Sequence, residues 1–234
     1  MTTLLLRLAG PLQAWGDSSR FTRRSTDKAP TKSGIIGLLA AAQGLRRTDP
    51  LEDLLLLQFG VRLDQPGQLE RDFQTTHPAD GKDSLPLTER FYLADAIFLA
   101  AVSGESDLIT GLDYSLRHPA FPLYLGRRSC PPAGPVTLGT RPAGLWEALH
   151  DEPWQAASWW RRRNQGTVRV ELRLDAQAVP VEAAHTFTDQ HDAPVSFDSC
   201  WRDYNWRQVA HAYVELSNPD ARDAVPRHDP MSVL

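Results

Sequence analysis

Cysteine is scarce in this chain. Only Cys130 and Cys200 occur among 234 residues, so neither a disulfide framework nor a multi-cysteine zinc site can be assembled. Long apolar runs are missing as well. The start, MTTLLLRLAGPLQAWG, is too short a hydrophobic stretch for a membrane span and lacks the basic leader of a signal peptide, so a cytoplasmic protein away from membranes is expected. An excess of positive charge is also absent. The net charge of −4 taken whole speaks against a polyanionic partner.

What is present qualifies that exclusion. A hydrophobic content of 41% with 23% charged residues is ordinary for a globular chain, long enough to bury a real core. The charges come in blocks. Residues 1–47 hold eight Lys/Arg against two Asp/Glu, and residues 117–173 hold nine against four. Residues 48–116 hold four against thirteen, and residues 174–234 hold four against ten. Alternating blocks suit a two-faced protein with one face on a polyanion, or solvated faces that happen to cluster.

The coarse element order follows from periodicity and breakers. TLLLRLA (3–9) reads as a buried strand and residues 10–32 as a long basic loop. SGIIGLLAAAQGLRR (33–47) reads as a helix with Ser33 as N-cap and Arg46 and Arg47 at the negative end of its dipole. LEDLLLLQ supplies a short second helical segment, and FGVRLDQPGQLERDFQTT a hairpin about Pro66-Gly67. Residues 77–90 are polar and proline-containing, so they read as a protruding excursion. YLADAIFLAAV (92–102) is one more strand, and SDLITGLDYSLRH (106–118) a helix capped by Ser106. Strand, helix, strand, strand, helix is most of a ferredoxin-like unit, here without the aromatic sheet motif of a standard RNA-recognition domain. Further on, TVRVELRLD (167–175) alternates as a one-sided strand, RQVAHAYVEL (207–216) is another, and residues 217–234 read as a disordered tail.

The stretch YLGRRSCP (124–131) could be a catalytic thiol, a metal ligand, an anion grip or a solvated loop. Cys130 sits in no cysteine-hydrolase signature and reads as a small buried hydrophobe. His185, Asp189, His191 and Asp192 fit no ligand spacing and read as solvated loop residues, so no metal and no cofactor is expected. GIIGLLAAAQG lacks the turn of a dinucleotide fingerprint, so its glycines read as allowing close helix packing. Anion binding has better support. TKSG opens a helix, whose free N–H groups favour phosphate, with Lys32 alongside. Gly126, Arg127, Arg128 and Ser129 offer guanidinium forks, a hydroxyl and a glycine backbone that can approach closely. Trp15, between glycines, reads either as a base-stacking platform or as core, whereas Trp146, Trp154, Trp159 and Trp160 read as core and Arg161–Arg163 as a solvated face.

LRLAGPLQAWG, PTKSGIIGLLAAAQG, RDFQTTH with TERFYLADAIFLAAV, and YLGRRSCP, in that order, closely resemble the CasD family over about residues 3–140, with the likeness fading beyond. That family comprises RAMP-type subunits of Cascade, the type I-E CRISPR surveillance complex of antiviral defence. The resemblance implies an α+β protein: a ferredoxin-like RNA-binding domain over 1–120, a projecting thumb at about 73–92, and a handle-clasping loop with a smaller C-terminal β-rich region over 121–216. It implies a non-catalytic subunit that caps the 5′ handle of the crRNA and docks CasC backbone subunits and the large subunit CasA. On the matching positions it implies RNA contacts by Gln13, Trp15, Arg20, Arg23, Arg24, Lys32, Ser33, Gly34, Arg90, Tyr124, Gly126, Arg127, Arg128 and Ser129. A metal-independent endoribonuclease using a histidine such as His77 is the alternative reading.

Overall fold

The computed structural model describes residues 1–16, 22–75 and 86–221. The first strand, β1 (Thr2–Ala9), has an apolar run buried on both faces. Leu4, Leu6 and Leu8 enter one core with α1 (Lys32–Gln43) and α3 (Ser106–Arg117), while Leu5 enters a second core with α4 (Leu145–Asp151) and Trp154. A strand covered on both sides cannot alternate apolar with polar, which is why TLLLRLA shows no period of two. β1 belongs to a seven-stranded antiparallel sheet, in the order β10 (Thr186–Ser196), β11 (Asp203–Ser217), β9 (Thr167–Asp175), β4 (Gln58–Gln65), β7 (Ile97–Gly104), β1 and β8 (Thr137–Arg141). The C-terminal strands thus extend the N-terminal sheet. A four-stranded sheet lies beside it, in which β6 (Thr88–Ala94) pairs with β2 (Leu12–Gln13), β3 (Arg23–Arg24) and β5 (Gln68–Gln74). Two short helices, α2 (Glu52–Leu55) and α5 (Ser158–Arg161), are also present.

Several local readings give way to tertiary structure. β4 and β5 do not form a hairpin: β4 pairs with β7 and β9, and β5 pairs with β6. Their environments explain this, because β4 is buried along its length and β5 is exposed. At Gly67 the chain crosses between sheets so closely that a Cβ would lie 2.7 Å from the Ala94 carbonyl oxygen. Residues 92–102 are likewise two strands, broken at Asp95, whose φ of 55° turns the chain from one sheet to the other. Helix α1 is capped by Thr31, whose hydroxyl accepts from the Gly34 N–H, and it ends at Gly44 with φ 82°. Ser33 is therefore inside the helix, and Arg46 and Arg47 lie beyond it. Glu105, not Ser106, caps α3. The first residues of the tail expected over 217–234 are built into the fold: Ser217 ends β11, and the buried Asn218 donates to the carbonyls of Arg161, Asn164 and Gln165. Residues 222–234 lie outside the described residues, as does 76–85, the centre of the expected thumb. Among the described residues no helix is long and apolar enough to cross a membrane.

The C-terminal hairpin is fastened to α1 by a buried ion cluster. Asp175, at the end of β9, accepts from Lys32 Nζ at 2.9 Å, from the Phe59 N–H at 2.8 Å and from Arg207 Nη1 at 2.9 Å. Asp192 on β10 takes Arg207 through Nε and Nη2 and accepts from the Lys32 N–H, in the first turn of α1, at 2.7 Å. Asp192 was expected in a solvated loop; it is 1% exposed. Its neighbours Asp189 and His191 are exposed, but in strand β10. The missed strand carries no clean alternation, because Asp192 points inward where an apolar residue would mark the core. Lys32→Glu would set a third carboxylate against Asp175 and Asp192. Losing one member of a buried ion pair costs about 3–5 kcal/mol, so a fall in melting temperature on the order of 10 °C is expected. An unchanged melting curve would show that the cluster does not hold the fold.

Candidate nucleic-acid interface

Where α1, the 121–131 loop and the tip of the β10–β11 hairpin meet, they enclose an open cavity of about 770 Å³. One wall is the outer side of α1 at Ser33, Gly34, Gly37 and Ala41, continuing to Arg46 and Arg47. The second is Phe121 to Tyr124 with Gly126 and Arg128, and the third is Phe197, Arg202 and Tyr204. Among the described residues lining it, four are arginines and none is Asp or Glu. In a chain of net charge −4 this is a segregated cationic surface. Burial pushes the Tyr204 phenol above its usual range, against the opposing pull of Arg202 and Arg47, so it stays a protonated donor.

The floor is Trp15, 1% exposed, with its Nε1 donating to Gln13 Oε1 at 3.1 Å. Gln13 in turn donates to the Leu8 and Ala96 carbonyls. Of the two readings of Trp15, core is the one its burial fits: an indole enclosed this way offers no open face to a base. Gly34 serves the packing that was expected of it, since a Cβ there would come within 2.9 Å of the Trp15 ring. The start of α1 is not an open phosphate site either. Its first-turn N–H is taken by Asp192 and the Lys32 ammonium by Asp175, so the anion at this helix end is the protein's own. Ser33 remains at the cavity wall.

The GRRS turn is hung between two buried residues, Leu125 and Cys130, joined by Leu125 N–H to Cys130 O at 2.7 Å. Gly126 has φ 83°, and a Cβ would lie 1.7 Å from the Ala14 carbonyl oxygen, so the glycine serves a close approach to the chain itself. Cys130 packs as expected, and burial pushes its thiol upward in pKa, away from the thiolate a nucleophile needs. The two arginines diverge. Arg127 is half-buried and turns to the protein, donating to the carbonyls of Phe91, Arg24 and Ser25. Arg128 is exposed, faces the cavity, and has no ion-pair or hydrogen-bond partner among the described residues. Ser129 is exposed beside it, and Tyr124 lines the cavity.

Arg23, Arg24 and Arg90 are brought together elsewhere, on the β3–β6 ladder, where Arg24 lies opposite Arg90 and Arg23 stacks over Phe91 at 5.2 Å. Arg20 and His77 lie outside the described residues. Sequence reading missed Arg46 and Arg47 as site residues by assigning them to the helix dipole, and it missed Phe197, Arg202 and Tyr204 altogether. A basic pair just past the terminating Gly44 was the available signal for the first two. Trp154 is buried and Trp146 and Trp160 partly so, while Trp159 is 41% exposed, contrary to its core reading. Among the described residues no cluster of His, Cys, Asp or Glu could hold a metal.

Comparison with known proteins gives the frame. The sequence profile of the family described as CRISPR-associated protein (Cas_Cas5) matches residues 3–210. The chain is 36% identical over 157 residues to CRISPR system Cascade subunit CasD of Escherichia coli (strain K12), covering 58% of this chain and 70% of that protein. Among solved structures it resembles a chain of a CRISPR RNA-guided surveillance complex, with a TM-score of 0.75 and 34% identity over 96% of this chain and 95% of that one. It also resembles a structure titled Crystal structure of Cas protein, with a TM-score of 0.69 and 34% identity over 96% and 100%. With a profile match across nearly its whole length, the chain belongs to the Cas5 family of CRISPR-associated proteins, and its likeness within that family is to Cascade subunit CasD.

Proposed function

We propose that this chain is a non-catalytic subunit of a CRISPR RNA-guided surveillance complex and holds the 5′ handle of the crRNA in its arginine-lined cavity. The observation that carries the reading is the cavity's composition: Arg46, Arg47, Arg128 and Arg202 with Phe121, Tyr124, Phe197 and Tyr204, and no acidic residue among those described. Guanidinium forks suit phosphate oxygens, and exposed rings stack on unpaired bases, so this combination fits a single-stranded RNA segment better than a duplex or a small metabolite. The ladder of Arg23, Arg24 and Arg90 offers a second cationic strip for the RNA backbone.

The architecture supports the same reading. The strand order β4-β7-β1-β8, with α1 and α3 packed on one face, supports our reading of this part of the sheet as ferredoxin-like. We read the β5–β6 pair, with exposed Leu69 and Phe73 on β5 and Leu87 just before β6, as the root of a thumb that docks on CasC backbone subunits, with the large subunit CasA as a further neighbour. In this assignment Ser33, Gly34, Tyr124, Gly126, Arg128 and Ser129 stay at the RNA surface. Gln13, Trp15 and Lys32 support it from beneath.

Two outcomes are expected. Replacing Arg46 and Arg128 together by alanine lowers affinity for a handle-containing RNA at least about tenfold, because each loses a charge-assisted contact. The melting temperature stays essentially unchanged, since exposed unpaired charges contribute little to folding. Wild-type affinity in that variant would overturn the cavity assignment. Labelled repeat RNA incubated with the protein in EDTA remains intact; specific cleavage lost in His77→Ala would replace the binding reading with the endoribonuclease.

A further inference from the structure

Adjacent arginines invite one role for both, but their surroundings separate them. Arg127 Nη1 donates to the Phe91 carbonyl at 3.0 Å, and Nη2 to the carbonyls of Arg24 at 2.8 Å and Ser25 at 3.3 Å. Its guanidinium carbon stands 4.8 Å from the centroid of the buried Tyr92 ring. One planar fork therefore joins three pieces of backbone: the 125–130 turn, β3 at Arg24, and β6 at Phe91. Turning it outward to a phosphate would strip a donor from each of these carbonyls and uncover the Tyr92 face. Arg128 has no such ties, and its side chain reaches the cavity.

We propose that Arg127 is a positioning residue and not an RNA ligand: it braces the GRRS turn against the β3–β6 ladder and thereby sets where Arg128 stands in the cavity. The inference rests on the proposed RNA-binding role of that cavity. Its consequence reaches further than the turn. β6 is also the strand that carries β5, so the backbone held by Arg127 is continuous with the β5–β6 pair, whose β5 is exposed. Displacing that pair then moves the turn, and seating of a partner subunit on it favours the geometry in which Arg128 meets RNA, and the reverse.

The test compares Arg127→Ala, Arg127→Lys and Arg128→Ala in the full-length chain, by titration with a handle-containing RNA over a range of salt concentrations. The slope of log affinity against log salt counts neutralised phosphates, about 0.7 per contact for a single strand. Arg128→Ala should weaken binding and flatten the slope by about that amount. Arg127→Ala should weaken binding while leaving the wild-type slope, and Arg127→Lys should not rescue it, because an ammonium cannot span the three carbonyls. A second arm needs no RNA. Amide exchange of the Glu89 N–H, which donates to the Thr22 carbonyl on the same ladder, should quicken in Arg127→Ala and stay unchanged in Arg128→Ala. A slope flattened equally in both alanine variants would make Arg127 a phosphate ligand, and unaltered exchange at Glu89 would remove the brace. Failure of the wild-type chain to bind RNA would overturn the cavity reading instead, while the exchange arm still decides whether the brace exists.

Discussion

Asp175 is the residue on which the rest of the molecule converges. Its carboxylate is 2% exposed at the end of β9 and receives Lys32 from the first turn of α1, the Phe59 N–H from β4 and Arg207 from β11. Arg207 passes the connection to Asp192 on β10, which returns it to the backbone of Lys32. Burying four charges is unfavourable unless each is matched, and here every carboxylate oxygen meets a donor. The geometry is therefore demanding, and it fixes the angle at which the C-terminal hairpin crosses the start of α1. That angle places the third wall of the cavity, because Phe197 and Arg202 in the β10–β11 connection and Tyr204 at the start of β11 are carried by the strands that the cluster clamps.

The same arrangement separates charge by role. Asp175 and Asp192 are matched inside the protein by Lys32 and Arg207, and on the opposite face of the sheet Asp64 is matched by the fully buried Arg62. The arginines left at the cavity are those without such partners. A chain with a net charge of −4 can thus present a local surface suited to a polyanion, because the potential a ligand meets depends on where charges lie and not on the net total alone. Rigidity comes from below: Trp15 against Gly34, Gln13 against two backbone carbonyls, and Gly126 against Ala14.

Sequence legibility followed the range of the interactions involved. Strand β9 was readable to the residue, because its inward Val170, Leu172 and Leu174 alternate with solvated neighbours. Helix α1 was readable as a helix, but its cap was not, since Thr31 and Ser33 are equally good candidates by type. The β4–β5 hairpin was misread because Pro66-Gly67 marks a turn without saying whether the flanking strands share a sheet; their opposite burial settles that. The ion-cluster role of Lys32 was not legible for a long-range reason, as its partners lie 143 and 160 residues away. The four motifs in register were enough for the family, whereas the cavity needed three segments, one of them beyond the stretch where those motifs are clear.

The account stands on the placement of RNA between the 121–131 loop and the β10–β11 tip. The most direct measurement is photo-crosslinking of a crRNA bearing 4-thiouridine in its 5′ handle, assembled with this chain, with the crosslinked peptides mapped by mass spectrometry. Crosslinks on Tyr124, Phe197 or Tyr204 are predicted. Crosslinks confined to the opposite face of the sheet, at Trp146 or Trp159, would contradict it.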